Sequence, residues 1–315
     1  MKTLGKIALG LLAALVVVIG CAVAWTWQPD RPPGDLTARW APAPSQFLDL
    51  AGMHVHFRDE GPRDDPLPLV LLHGTSASLH TWDGWVAALK DRKRVIRVDL
   101  PGFGLTGPSP DGNYTIDAYT GFVLAFLDAL QVRHFIVAGN SLGGNVAWQL
   151  AVSEPSRVER LILVDAGGYP FTPASMPLGF RVARTPGLNQ LMGHILPRSL
   201  IESSVRNVYG DPSRVTPAVV DRYFELTLRE GNRDALGKRF QQTDLGVFAE
   251  RIKTIRQPTL ILWGGRDRLI PPDNARRFAQ DIAGSKLVVF DDLGHVPHEE
   301  DPARTVAAVK SFLGV

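Results

Sequence analysis

The stretch that most narrows the fold of this chain is Phe135-Ile-Val-Ala-Gly-Asn-Ser141-Leu-Gly-Gly144. A short apolar, β-branched run opens it, and after it Leu142, Val146, Leu150 and Val152 fall roughly on one helical face. The pattern reads strand, turn, helix, with almost no chain left for the turn. So sharp a reversal strains its central residue and presses neighbouring backbone close, so small residues are needed two positions before and two after. Gly139 and Gly143 stand there. The arrangement matches G-x-S-x-G, which lifts a serine hydroxyl above a sheet and turns the next N–H, that of Leu142, toward a developing oxyanion. Taken alone, five such residues are as easily a plain tight connection, so the reading depends on what the rest of the chain supplies.

Strands and helices alternate on both sides of that turn. Residues 47–50 and 54–59 alternate about Ala51-Gly52 as a hairpin, and 67–72, 95–100, 161–165, 259–263 and 286–290 read as buried strands. Helices are expected at about 82–90, 116–130 and 272–282, with a last one closing near Leu313. This rhythm predicts an α/β protein with a doubly wound, mostly parallel sheet. Residues 166–257 break it: no strand-like run occurs, and helical stretches are interrupted by Pro170, Pro173, Pro177, Pro186 and Pro197. We expect a helical cap over the carboxyl edge of the sheet, where an open α/β fold keeps its site. The chain divides into an N-terminal apolar segment (1–27), a Pro-rich linker (28–46), a first core part (47–165), the cap (166–257) and a second core part (258–315).

Two strand ends carry the groups a serine nucleophile needs. Asp267 follows Trp263-Gly-Gly-Arg, and His295 follows Asp291-Asp-Leu-Gly, giving the chain order serine, acid, histidine. Each has a bland reading singly, as a turn former and as a surface loop residue; three such residues at three strand ends point to a triad. Asp165 also ends a strand, but a turn-forming or cap-anchoring role explains it, so the acid is assigned to Asp267. Residues 67–72 run into His73-Gly74-Thr75, and a second backbone donor to the oxyanion is expected from Thr75.

Other signals are weaker. Gly102-Phe-Gly-Leu-Thr-Gly107 matches a dinucleotide fingerprint, but Pro108, Pro110 and Gly112 prevent the helix that would meet the pyrophosphate. His54 and His56 share a strand face without a further ligand at a familiar spacing, so packing or surface placement is expected and no metal. The net charge of +2 and the basic run 90–94, interrupted by Asp91, give no nucleic-acid signal. No cofactor is called for, and the oligomeric state is open. The one cysteine, Cys21, lies in the apolar N-terminal segment. That segment is uncharged from Ile7 to Trp27, behind Lys2 and Lys6, and as a helix would span about 30 Å, one bilayer core. An uncleaved anchor is favoured over a signal peptide cut after Ala24 or a lipoprotein signal at Cys21, because the run continues past both sites and Trp25 and Trp27 suit an interface. The lysines then place the N-terminus in the cytoplasm and the body outside, on the periplasmic or extracellular side. Five prolines between Gln28 and Gln46 suggest an extended, semi-rigid spacer.

From residue 47 to the end the sequence resembles the α/β-hydrolase fold family. The resemblance rests on His73-Gly74, Asp99-Leu-Pro-Gly-Phe-Gly104, Gly139-Asn-Ser-Leu-Gly-Gly144, Trp263-Gly-Gly-Arg-Asp267, and Gly294-His295 with Glu300 and Pro302 behind it. It implies two-step acyl transfer by Ser141, His295 and Asp267, with Leu142 and Thr75 N–H groups on the oxyanion; the motifs are not specific for a substrate, and it is the anchor and an apolar cap that favour a small hydrophobic carboxylic ester, a lipid among the candidates. Family members that use an aspartate at the turn, haloalkane dehalogenases and epoxide hydrolases, are disfavoured by Ser141. Meta-cleavage C–C hydrolases resemble the Gly-Asn-Ser turn, but their loop is richer in glycine than 73–78 here. A membrane-tethered binding protein or receptor without turnover is the alternative of another class.

Overall fold

The computed structural model describes residues 2–315 except 186, 188–192, 244 and 245, so Pro186, one of the expected helix breakers, lies outside it. The core is an eight-stranded sheet built from β1 (Gln46–Leu50), β2 (Met53–Glu60), β3 (Leu69–Leu72), β4 (Val95–Val98), β5 (Phe135–Asn140), β6 (Val158–Val164), β7 (Thr259–Gly264) and β8 (Lys286–Phe290). Its order is β1-β2-β4-β3-β5-β6-β7-β8. β2 runs antiparallel to both its neighbours, and every other pairing is parallel. β1 and β2 form the expected hairpin: Leu50 pairs with Met53, and the two turn residues Ala51 and Gly52 both take positive φ, as a two-residue hairpin turn demands.

Both faces of the parallel strands are covered, which is why they read as unbroken apolar runs rather than alternating ones. Val70 and Leu72 of β3 pack toward the helices Ile116–Ala129 and Leu142–Ser153 with Val123, Phe126 and Val146. Leu69 and Leu71 pack the other way, toward Trp85 of the helix Asp83–Leu89 and Val309 of the C-terminal helix Pro302–Leu313. The helix expected at 82–90 is preceded by a 3₁₀ turn, Leu79–Trp82, because Asp99 Oδ1 accepts the Leu79 N–H at 2.7 Å and pins the chain there.

Between β6 and β7 the described residues hold no strand. They form the helices Leu178–Arg184, Arg198–Val208, Pro217–Thr227 and Asn232–Gln241. Leu196, Ile201, Val205, Val220 and Phe224 make a cluster of their own that closes on Val296, the residue after His295. The cap is therefore packed directly against the loop that carries the histidine.

The segment 28–46 departs from the extended spacer expected of it. Pro33–Trp40 is a helix with proline at its first position, and Leu36 is buried with Leu105 of the core and Leu226 of the cap. Arg39 pairs with Asp221 at 3.3 Å and with Glu225, while Trp40 Nε1 donates to Glu225 at 2.7 Å. Leu196 N donates to Thr26 O at 3.1 Å and Arg31 N to Leu228 O at 2.7 Å. Proline content sets local stiffness but does not prevent docking, and here the strap lies on the cap. Ahead of it, Lys2–Thr26 is a single helix, and Gly5–Thr26 is the one span among the described residues long and apolar enough to cross a membrane.

Candidate active site

Ser141 sits between β5 and the helix Leu142–Ser153 with φ 53° and ψ −112°, the strained conformation that the sequence pattern implies. The two small residues are required by contact. A Cβ on Gly139 would lie 2.1 Å from Gly143 O, and one on Gly143 would lie 2.2 Å from Leu72 O, both backbone atoms that cannot move aside. Ser141 O accepts the N–H groups of Asn145 and Gly167 at 3.0 Å each, which holds the turn against the start of the cap. Leu142 is the first helical residue, so its N–H is among those an α-helix leaves without an intrahelical acceptor.

Asp267 and His295 come together as the sequence suggested. His295 Nδ1 lies 2.7 Å from Asp267 Oδ2, and both residues are buried. Asp267 Oδ1 accepts the N–H groups of Leu269 and Ile270 at 2.8 and 2.9 Å, holding the carboxylate beside the imidazole. Ser141, His295 and Val296 line one cavity, with Gly74 and Thr75 on its wall and Val205 on the cap side.

Asp165 is more than a turn former. Its φ of 44° fits a turn, but its side chain is fully buried beside Asp267 rather than reaching the cap. Asp165 Oδ1 accepts Gly264 N–H at 3.0 Å, and Oδ2 has no donor within reach. One ligand atom each of Asp165, Asp267 and His295 lies within 4.8 Å of the others. Burial, and then the neighbouring Asp267 charge, push the Asp165 pKa well above the ordinary carboxylate value. A neutral carboxyl there can donate its proton to Asp267 and satisfy both oxygens. The cluster does not suit a cation, because both Asp267 oxygens are already engaged by two N–H groups and an imidazole.

Three residues of the resemblance motifs act as supports, a role the sequence reading did not give them. Asn140 Nδ2 donates to His295 O at 3.0 Å and to Val164 O at 3.1 Å, tying the serine turn to the histidine loop. Glu300 accepts from Gly294 N at 2.8 Å, Gly210 N at 2.9 Å and Asp211 N at 2.7 Å, locking the same loop to the cap. His73 Nε2 accepts Leu100 N–H at 2.9 Å and Nδ1 donates to Gly74 O at 2.7 Å; burial lowers its pKa, in keeping with a neutral ring that braces the loop carrying Thr75. Of the histidine pair on β2, His56 is buried with Nδ1 2.7 Å from Asp99, and His54 stacks on Phe47 at the surface, so neither meets the site. No helix starts in 101–115; Gly102 N instead bonds Gly107 O at 2.6 Å and closes a tight loop.

Comparison with known proteins gives a consistent picture. The sequence model of a family described as alpha/beta hydrolase fold matches residues 68–302. An uncharacterised protein of Mycobacterium tuberculosis is 31% identical over 289 residues, 87% of this chain and 82% of that one. Among solved structures, a meta-cleavage product hydrolase from Pseudomonas fluorescens IP01 aligns with a TM-score of 0.73 and 26% identity, covering 85% of this chain and 97% of the other. A membrane phospholipase A aligns with a TM-score of 0.70 and 25% identity over 100% of this chain and 98% of its own.

Proposed function

The chain belongs to the α/β-hydrolase fold family, and from that premise we propose that it is a membrane-tethered serine hydrolase of hydrophobic carboxylic esters. The observation that carries this reading is the 2.7 Å contact of His295 with Asp267 beside a strained serine that opens on an apolar cavity. His295 Nε2 takes the proton of Ser141 Oγ as the oxygen attacks the ester carbonyl, and Asp267 holds the ring in the right tautomer and stabilises the imidazolium. The N–H groups of Leu142 and Thr75 bind the oxyanion. The imidazolium then protonates the leaving alcohol, and water repeats the sequence on the acyl-enzyme, releasing the acid and restoring Ser141. No cofactor or metal enters these steps.

Apolar side chains from core and cap, Phe180, Ile201, Val208 and Leu236 among them, support a hydrophobic acyl or alcohol group. C–C bond hydrolysis is the second reading, favoured by the likeness to a meta-cleavage product hydrolase. A panel of p-nitrophenyl esters of increasing chain length, run beside one dienone acid, separates the two. The ester reading expects turnover that rises with chain length until the cavity is filled; cleavage of the dienone acid alone would replace it.

The Lys2–Thr26 helix is proposed to stay attached and span the membrane, with Lys2 and Lys6 on the cytoplasmic side and the catalytic body outside. The likeness over the whole chain to a membrane phospholipase A supports both the tether and a lipid-like ester. Intact mass of protein from the membrane fraction is expected to show the full chain. A mass beginning at Trp25, or at a lipid-modified Cys21, would overturn the anchor.

A further inference from the structure

The anchor helix and the cap are in direct contact. Thr26 O, at the end of the helix Lys2–Thr26, accepts Leu196 N–H at 3.1 Å, and Gln28 N donates to His194 O at 2.9 Å. Between these bonds Trp27 bridges Ile195 in antiparallel fashion, and its ring stacks on His194 with centroids 5.1 Å apart. No spacer is left between anchor and cap. Residues 28–46, fully extended, would let the body stand roughly 60 Å from the bilayer. Instead the residues at the very end of the span are already bonded to cap backbone.

The contact fixes the height of the cap. Trp25 and Trp27 are exposed at the end of the span, where tryptophans settle at the headgroup level. Backbone one hydrogen bond from Thr26 lies at that level too. The helix Leu178–Arg184 stands beside it, because its Val182 packs on the cluster that contains Leu196. Leu178, Arg181 and Arg184 follow one another at intervals of three and so share a stripe of that helix, and all three are exposed, Leu178 by 46%. From Ala166 to Ile201 the sequence holds Arg181, Arg184 and Arg198 and no acidic residue. Arg198 is paired with Asp221, but Arg181 and Arg184 keep their charge at the surface. A stripe of leucine and arginine suits the boundary between headgroups and acyl chains, where apolar burial and attraction to anionic lipid act together.

We propose that the cap face carrying Leu178, Arg181 and Arg184, beside Trp27, rests on the bilayer, so that the protein draws its ester from the leaflet rather than from solution. The same helix borders the site: Phe180 lines the cavity of Ser141 and His295, and Arg184 lines a second compartment that reaches Ser141. A lipid ester leaving the leaflet then meets the serine after passing one helix. This rests on the reading of Lys2–Thr26 as a membrane span, and it narrows the hydrophobic ester to one resident in a membrane.

The test places a fluorescent nitrobenzoxadiazole label on single cysteines of the full-length protein in phosphatidylcholine and phosphatidylglycerol vesicles that carry doxyl-labelled lipid. Natural Cys21 reports the span, Cys21→Ser/Leu178→Cys the cap face, and Cys21→Ser/Arg133→Cys the opposite edge of the sheet, where Arg133 is exposed just ahead of β5. Quenching is expected at 21 and 178 and not at 133. Quenching at 21 alone overturns the docking while the span stands; quenching at 178 without 21 supports the docking and overturns the span; quenching at neither overturns both. Shielding at 178 that follows protein density rather than doxyl lipid gives the face to a second copy of the chain and also overturns the proposal. In turnover, Leu178→Asp is expected to slow cleavage of 4-methylumbelliferyl oleate held in vesicles roughly 10-fold, as loss of a partly buried leucine contact would, and to leave p-nitrophenyl butyrate in solution unchanged. An unchanged rate on the oleate would overturn the docking, and if neither ester is cleaved the quenching decides it.

Discussion

Ser141→Ala is expected to lower ester turnover on the order of 10⁶-fold, because the nucleophile of a triad acts as a unit with its base and its loss leaves only the oxyanion donors and binding. The fold should hardly notice. The backbone strain at φ 53° belongs to the turn, not to the hydroxyl, and alanine adopts it as readily as serine. No hydrogen bond of the serine Oγ holds the turn together; the backbone contacts of Ser141 O with Asn145 and Gly167 do. Steady-state kinetics beside a thermal melt checks both halves. Residual turnover within about tenfold of the unaltered protein would mean that another group attacks the substrate.

The second large effect separates two buried acids. Asp267→Asn keeps the shape but removes the charge facing His295 Nδ1 and favours the wrong tautomer, with an expected loss of roughly 10⁴ in turnover. Asp165→Asn should be mild by comparison, because burial and the Asp267 charge favour the protonated carboxyl, and an amide can likewise donate to Asp267. The sign of the stability effect follows. A carboxyl whose pKa is raised on folding holds its proton in the native state, so stability is full below the ordinary value of 3.8 and falls as pH rises above it. Asparagine has no proton to lose, so Asp165→Asn should melt higher than the unaltered protein near neutral pH, with the advantage gone below pH 3.8. Kinetics of both variants at equal folded fraction, with melts across that range, decide it. If Asp165→Asn lost nearly all activity and Asp267→Asn kept most, the triad acid would be Asp165.

Much of this was legible because the elements concerned have strong periods. The hairpin at Ala51-Gly52, the strand Lys286–Phe290 and the strand-turn-helix around Ser141 emerged where the apolar pattern places them. The acid cluster was not legible. That Asp165 faces Asp267 depends on β6 and β7 being neighbours, and sequence order does not fix sheet order. The helix Pro33–Trp40 did carry a signal, a proline at a helix start followed by Leu36 and Trp40 one turn apart, but the surrounding prolines masked it.

The central claim, that Ser141 is the activated nucleophile of this chain, is tested most directly by treating the full-length protein with a fluorophosphonate and mapping the adduct by peptide mass. The account predicts a single modified peptide, labelled at Ser141 and absent from Ser141→Ala. An adduct that persists at full yield in Ser141→Ala, or an unaltered protein that takes no label at all, would contradict it, the second outcome being the one expected of a tethered binding protein.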